Sequence, residues 1–248
     1  MYCLLDLLKE EAAMSIFDIL GPVMVGPSSS HTAGAVRIGL ITRKLLADKP
    51  VKAEIFLYGS FDATGKGHGT DRAVVAGLLG MQPDDMRIPK SYEIAAKEGL
   101  DFHFGQANLR GAHPNTVVIE VVGEHDRQLH VQACSTGGGR ILVNKLDGID
   151  VNCTCECPTL IVHNMDQPGH VAEVTSMLSH KSVNIAKMSL YRDKRGGKAV
   201  MVLELDQDVP REAIKWLERL EGVEKVTYIS MGDETPVIEN KPIQDGRV

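Results

Sequence analysis

Residues 159–178 read TLIVHNMDQPGHVAEVTSML, and they place an apolar run, a loop with proline and glycine, and an amphipathic helix in succession. Apolar residues spaced three or four apart predict the helix, and the preceding run is typical of a strand. The same succession of a strand and an amphipathic helix occurs again downstream and ends with a strand near residue 229. The segment therefore predicts a ferredoxin-like βαββαβ module, with strands at 159–164, 183–191, 198–205 and 223–229 and helices at 170–180 and 210–220.

Upstream of this module, helices and strands also alternate, which predicts a larger mixed α/β domain over residues 15–150. Its predicted elements are a helix through Ala35 to Leu45, a helix from Thr70 to Gly80, a helix over 91–99, and strands at 51–58, 116–122, 128–134 and near 141–143. The predicted fold class is α+β. The predicted boundaries add an N-terminal extension over 1–14, a linker over 151–158 and a loosely ordered tail over 231–248.

The composition of the chain argues against several classes of function. The 248 residues carry a formal net charge of -6, and no basic cluster of the kind that binds nucleic acid stands out. The opening residues lack the features of a signal peptide, and no apolar run is long enough to span a bilayer. Five cysteines, an odd number in a large chain, suit a reducing compartment. We expect a cytoplasmic protein whose partners are small molecules or proteins, with neither nucleic acid nor membrane among them.

The segment GPSSSHT, residues 26–32, stands immediately before the first predicted helix. Backbone N–H groups and the positive end of the helix dipole favour an anion there. Ser28, Ser29, Ser30, His31 and Thr32 would add side-chain donors for a carboxylate. The alternative is ordinary capping, which needs only one of these residues.

A second motif, GKGHGTD at residues 65–71, reads as a glycine-laced loop leading into a helix. It lacks the spacing and the Ser or Thr of a phosphate-binding loop. His68 is either a hydrogen-bonded turn residue or a site residue that titrates near neutral pH. The segments HPNT at 113–116 and GGGR at 137–140 are compatible with simple turns, and alone each is a weak signal.

Two further motifs concern metals and amino acids. Cys153, Cys155 and Cys157 alternate without the C-x₂-C spacing of common zinc or cluster sites, so we predict no metal ligands in this chain.

The loop N-x-D-x-P-G-H precedes a helix and suits an amino-acid carboxylate, although any ferredoxin-like module needs a connection here. Its candidate ligand-binding residues are Asn164, Asp166, Gly169 and His170.

Taken in order, GPSSSHTAGAVRIG, LYGSFDATGKGHGTD, HPNT and STGGGR closely resemble the β chains of iron–sulfur-dependent L-serine dehydratases over about residues 15–151. The C-terminal module resembles an ACT domain, a regulatory domain that binds amino acids. The larger domain is also similar to the allosteric substrate-binding domain of some phosphoglycerate dehydrogenases.

The resemblance implies an L-serine ammonia-lyase that yields pyruvate, toward gluconeogenesis, and ammonia. It implies a [4Fe–4S] cluster whose three cysteine ligands belong to a partner α chain, so that this chain alone is inactive. It assigns catalysis to His31 and His68, leaving open which is the base, and substrate binding to Ser28, Ser29, Ser30, Thr32 and Asn115. ACT pairing implies a dimer of heterodimers. The alternatives are a non-catalytic amino-acid sensor and, less in keeping with the motifs, a metal-independent hydrolase.

Overall fold

The computed structural model describes residues 22–230, which form two β-sheets with helices packed against them. The predictions for residues 1–14 and 231–248 lie outside this range. The strands are β1 (Pro50–Gly59), β2 (Asp101–Gln106), β3 (Asn115–Gly123), β4 (Gln128–Gly137), β5 (Arg140–Leu146), β6 (Ile149–Cys153), β7 (Thr159–Met165), β8 (Ile185–Arg192), β9 (Lys198–Leu205) and β10 (Val223–Ile229). The helices are α1 (Gly34–Leu46), α2 (Ser60–His68), α3 (Thr70–Leu78), α4 (Ser91–Glu98), α5 (His170–His180) and α6 (Arg211–Leu217), with a short 3₁₀ turn at Ile88–Lys90.

The first sheet has the order β2-β1-β3-β4-β5-β6 and is antiparallel except for the β1–β2 pair. In β1, Ala53, Ile55 and Leu57 alternate toward the core as a half-buried strand requires. The predictions for α1, β1, α3, α4, β3 and β4 are confirmed. The structure adds three elements. Helix α2 forms where we expected a loop, β2 is an additional edge strand, and β6 includes the first residues of the predicted linker.

Helices α1 and α3 cross at an unusually close contact between two glycines. A Cβ added at Gly39 would lie 2.2 Å from the carbonyl oxygen of Val74, and one added at Gly77 would lie 2.0 Å from that of Val36. The missing side chains let the two backbones touch. This contact fixes the position of α1, whose first turn leads into the candidate site.

The second sheet has the order β10-β7-β9-β8, which is the ferredoxin-like arrangement predicted from the sequence. Strands β9 and β10 and helix α5 match their predicted bounds, whereas α6 is shorter than expected. Leu160, Val162 and Leu203 point to the face that α5 and α6 cover.

The opposite face of this sheet is buried against the first domain. Ile161, Val200 and Val202 belong to the same apolar core as the first sheet. At the end of α1, Lys44 Nζ donates to the Ser230 carbonyl at 3.3 Å. Thr227 Oγ1 lies 3.5 Å from the Leu45 carbonyl oxygen. The module and the larger domain thus share one apolar core.

Within residues 22–230, no helix is both long and apolar enough to cross a membrane.

Removal of the module, by ending the chain at residue 158, is expected to abolish cooperative folding of the remainder. Burial of each Val or Ile contributes about 1.5–3 kcal/mol, and several that line the shared core would be lost together. Circular dichroism melting of the truncated and full-length chains checks this. An unchanged melting temperature would show that the larger domain folds independently.

A second prediction concerns His163, which lies beside Lys225 and Asp147 in a small cavity of about 210 Å³. Burial, reinforced by Lys225, lowers the pKa of His163 to about 4, although Asp147 opposes the shift. Because the unfolded chain binds this proton near pH 6.5 and the folded chain does not, stability should fall as the pH drops from about 6.5 to 4, by up to about 3 kcal/mol. Urea unfolding across this range should show a flatter profile for His163→Gln. Parallel profiles would contradict the assignment.

Candidate active site at the start of the first helix

The segment before α1 adopts a capped, widened turn. Ser28 has an extended backbone (φ -140°, ψ 125°), and its side chain accepts a hydrogen bond from the backbone N–H of His31 at 3.2 Å. Residues Ser29–Ala33 form one π-helical turn, which α1 continues from Gly34. One serine therefore acts as an ordinary cap, and the other hydroxyls of the motif are left for other contacts. Single π-helical turns of this kind frequently occur at functional sites.

The His31 ring is held from both sides. Its Nδ1 lies 3.0 Å from Ser30 Oγ, and its Nε2 lies 2.9 Å from Ser60 Oγ. The Phe61 ring packs against it in a T-shaped arrangement with the ring centroids 5.3 Å apart. These contacts fix the orientation of a half-buried imidazole that still reaches the surface.

Ser60 owes its position to a sharp change of direction after β1. Gly59 has φ 61° and ψ -121°, and a Cβ there would lie 2.6 Å from the Pro114 carbonyl oxygen. That oxygen accepts a hydrogen bond from the Ser60 N–H at 2.8 Å. We did not predict Ser60 as a site residue. The available signal was a hydroxyl directly after a buried strand, within LYGSFDATGKGHGTD.

His68 ends α2 and faces His31, with the ring centroids 5.1 Å apart. The glycine-laced segment we expected to be a loop is therefore helical until Gly69, which adopts a left-handed conformation (φ 69°). Thr32 Oγ1 donates to the His68 carbonyl at 3.2 Å and joins the two motifs. His68 Nδ1 and Thr70 Oγ1 are buried without a hydrogen-bond partner in the structure. A polar ligand would satisfy such atoms.

The HPNT and STGGGR motifs lie close to the same turn at the start of α1. Asn115 pairs with Gly59 in the sheet, and its Nδ2 lies 3.5 Å from the Ser135 carbonyl oxygen. A Cβ at Gly34 would lie 2.1 Å from Ser135 Oγ, so the start of α1 rests on the STGGGR segment. Arg37 donates to the Gly139 carbonyl at 3.0 Å. All four motifs recognised in the sequence therefore converge.

Electrostatics favour a neutral His31. Burial and the neighbouring His68 lower the pKa of His31, while the contact with Ser60 partly opposes this. A neutral imidazole has one acceptor nitrogen and can take a proton; because both ring nitrogens of His31 contact serine hydroxyls, one of these hydroxyls must turn away or relay the proton. Asp71 does not join the pair, because its carboxylate accepts a hydrogen bond from the Tyr92 hydroxyl at 2.8 Å.

In the second domain, the candidate ligand loop is brought together only in part. Asn164 and His170 are both buried, and Asn164 Oδ1 and both ring nitrogens of His170 make no hydrogen bond. Gly169, with φ 109°, precedes the first residue of α5. Asp166 is engaged elsewhere: it accepts hydrogen bonds from Arg192 at 2.8 Å and the Gly196 N–H at 3.0 Å. The aspartate thus ties the loop to the β8–β9 hairpin.

The cysteines of the described residues do not fit an iron–sulfur cluster. Such a cluster needs a set of cysteine thiolates arranged around it. Cys153 and Cys155 adjoin each other, but residues 22–230 contain no group of three cysteine, histidine or carboxylate side chains placed to hold a metal. No catalytic step is therefore assigned to a cluster on this chain.

Comparison with known proteins gives consistent matches. A family model described as the serine dehydratase beta chain matches residues 15–98, and an ACT-domain model matches residues 158–222. The sequence is 38% identical over 216 residues to the probable L-serine dehydratase beta chain of Bacillus subtilis, covering 87% of this chain and 98% of that protein. It is 36% identical over 214 residues to the L-serine dehydratase beta chain of Peptoniphilus asaccharolyticus, covering 86% and 95%. The D-3-phosphoglycerate dehydrogenase of Methanocaldococcus jannaschii is 27% identical over 113 residues, which are 46% of this chain and 22% of that enzyme.

Proposed function

Because the chain belongs to the family of L-serine dehydratase β chains and carries an ACT domain, we propose that it supplies the substrate-binding half of an L-serine ammonia-lyase. The reaction removes water from L-serine to give aminoacrylate, which tautomerises and hydrolyses to pyruvate and ammonia. The observation that carries the proposal is the His31 imidazole, fixed between two serine hydroxyls and facing a second imidazole.

In this proposal, His31 removes the Cα proton of serine. Its lowered pKa keeps it neutral at physiological pH, and Ser30 and Ser60 hold its ring in one plane. His68 lies beside it and is positioned to accept or return a proton at the same substrate. General base catalysis by a positioned histidine contributes about 10²–10⁴-fold to the rate.

The substrate carboxylate is proposed to bind at the start of α1. The positive end of the helix dipole favours an anion there, and Ser28, Ser29 and Ser30 would contribute hydroxyl groups, while Thr32, whose hydroxyl donates to the His68 carbonyl, would hold His68 beside the bound substrate. Asn115 lies across the sheet from Gly59, next to the turn that carries Ser60. These residues would orient the Cα–H bond toward His31.

The [4Fe–4S] cluster and its cysteine ligands are proposed to belong to a partner α chain, because the described cysteines of this chain form no cradle for one. His31 and His68 are only half-buried, which is consistent with a pocket that a second chain completes. On this proposal the isolated β chain binds substrate groups but does not turn them over.

The proposal extends to the oligomeric assembly of the protein and to its location in the cell. Edge strand β8 exposes Met188 and Leu190, and α6 exposes Trp216, so the ACT domain offers apolar surface for pairing into a dimer of heterodimers. The five cysteines of the sequence support a reducing, cytoplasmic location. Pyruvate formed there would feed gluconeogenesis.

A regulatory amino-acid sensor is the second candidate. It is favoured by the similarity to a D-3-phosphoglycerate dehydrogenase and by the unsatisfied polar atoms of Asn164 and His170 in the ACT loop. A sensor, however, needs an anion site but not two facing imidazoles.

Anaerobic pyruvate formation from L-serine tests the two candidates. It should be measured for the purified chain alone and for the complex that the chain forms in its native lysate. Activity only in an iron-containing complex supports the split-site lyase. Amino-acid binding without turnover in either preparation would favour the sensor.

A further inference from the structure

Two cysteine thiols meet at the junction of the two domains, far from any role in the proposed reaction. The Sγ atoms of Cys153 and Cys155 lie 3.0 Å apart, inside the van der Waals contact distance of two sulfurs. Both side chains are buried, with residue exposures of 0% and 6%. We propose that Cys153 and Cys155 form an oxidant-sensitive dithiol that peroxide converts reversibly to a disulfide.

The backbone explains why the thiols are so close. Cys153 ends β6, where it pairs with Val143. In a regular strand, residues two apart point the same way but are separated by about 6.6 Å along the strand. Cys155 instead adopts a left-handed conformation with φ 54°, which few residues other than glycine adopt. The left-handed residue interrupts the extended backbone directly after β6, and the second thiol lies against the first.

The pair is also chemically asymmetric. The hydrogen bond between the two sulfurs lowers the pKa of Cys153, although burial opposes the shift. The pKa of Cys155 is raised by the same contact and by burial. The contact between the two sulfurs therefore favours a thiolate within the pair, and the thiolate is the nucleophile in thiol oxidation.

The proposed reaction balances with hydrogen peroxide as the oxidant. The thiolate of one cysteine of the pair attacks one peroxide oxygen, the O–O bond breaks, and a sulfenic acid and hydroxide form; the hydroxide takes up the proton that this thiol released. The sulfur of the other cysteine then attacks the sulfenic sulfur, its proton leaves with the departing hydroxyl as water, and the S–S bond forms. Two thiols are oxidised and one peroxide is reduced to two waters. A dithiol reductant reverses the reaction by exchange.

Two features favour disulfide formation over metal binding. A cavity gives peroxide access to the thiol pair, and the described residues offer the pair no third metal ligand. Cys155 lines a cavity of about 330 Å³ at the domain junction, which also borders Arg37 and Ile229 and is large enough for peroxide. A structural zinc site uses four ligands, and residues 22–230 provide no group of three around this pair. The Cys157 thiol interacts instead with the Thr159 side chain and the Leu205 backbone, and the Cys157 carbonyl accepts a hydrogen bond from the Thr159 hydroxyl.

The experiment treats the reduced full-length chain with hydrogen peroxide, unfolds it, and alkylates the remaining thiols with iodoacetamide. Trypsin releases residues 146–181 as one peptide, which contains all three cysteines of the segment. In the Cys157→Ser variant, the expected result is joint loss of both alkylations and a peptide two hydrogens lighter, restored by dithiothreitol.

The matched controls are Cys153→Ser and Cys155→Ser, which should each leave the peptide without an internal disulfide. Titration of the unmodified chain with phenylarsine oxide, which bridges neighbouring thiols, gives a second readout without mutation and should block both cysteines together. Full alkylation of both after peroxide, or a disulfide that involves Cys157 in the unmodified chain, would overturn the proposal.

Discussion

Replacing His31 with alanine is expected to lower kcat of the assembled enzyme by about 10²–10⁴-fold, with little change in folding or assembly. The imidazole is half-buried and makes its ring contacts with Ser30, Ser60 and Phe61, so its loss removes the proposed base without opening the main core. Steady-state pyruvate formation and a melting curve of the same preparation measure the two effects separately.

His125→Ala is the matched control, because this exposed histidine lies in the β3–β4 turn, at the opposite end of β1 from Ser60. It should leave kcat unchanged. In the unsubstituted enzyme, the acidic limb of kcat/KM should have its midpoint below about 6.5, since burial and His68 lower the pKa of His31 and the neutral base persists to lower pH. Retained turnover in His31→Ala would refute the assignment of the base.

Gly77→Ala is expected to destabilise the chain by about 3 kcal/mol or more, although alanine favours a helix over glycine by about 1 kcal/mol elsewhere. The new Cβ would lie 2.0 Å from the Val36 carbonyl oxygen and 2.6 Å from the Leu40 nitrogen. Both are backbone atoms of α1, so relief requires α1 and α3 to separate. Urea unfolding should show a lower midpoint with an unchanged slope.

Gly67→Ala provides a matched helical control. A Cβ at Gly67, in α2, meets nothing within 4 Å. The substitution should therefore leave stability unchanged or raise it by up to about 1 kcal/mol, because alanine favours a helix over glycine and Gly67 lies in the last turn of α2. Equal stability of Gly77→Ala and the unsubstituted chain would show that the two helices do not rely on this contact.

The sequence predicts the elements whose periodicity is unambiguous. Helix α5 and strand β9 have the bounds expected from their apolar spacing, because one buried face dictates the pattern. The sequence does not predict helix α2, because its glycines and polar residues lower its helix propensity. In the folded protein, the burial of Phe61 and the flanking strands stabilise this helix. The edge strand β2 is short and mostly exposed, and its alternation of Phe102 and Phe104 with Asp101 and His103 covers only four residues.

The candidate site is predictable as separate motifs but not as an arrangement. Each motif is visible because it concentrates hydroxyl, imidazole or glycine residues near a helix start. Their convergence depends on the β1–β3 register, which places Gly59 opposite Asn115, and on the Gly39–Gly77 contact, which positions α1. Ser60 becomes a candidate only when Gly59 turns the chain toward His31.

Helix α1 spans about 20 Å, and its two ends contact different parts of the molecule. One end carries the turn with His31. At the other end, Lys44 contacts Ser230 and Leu45 contacts Thr227 across the shared core. If an amino acid bound to the ACT domain alters serine affinity through this helix, thermodynamic linkage requires serine to alter the affinity for that amino acid by the same factor. Substrate saturation would then set the effector concentration at which the enzyme responds.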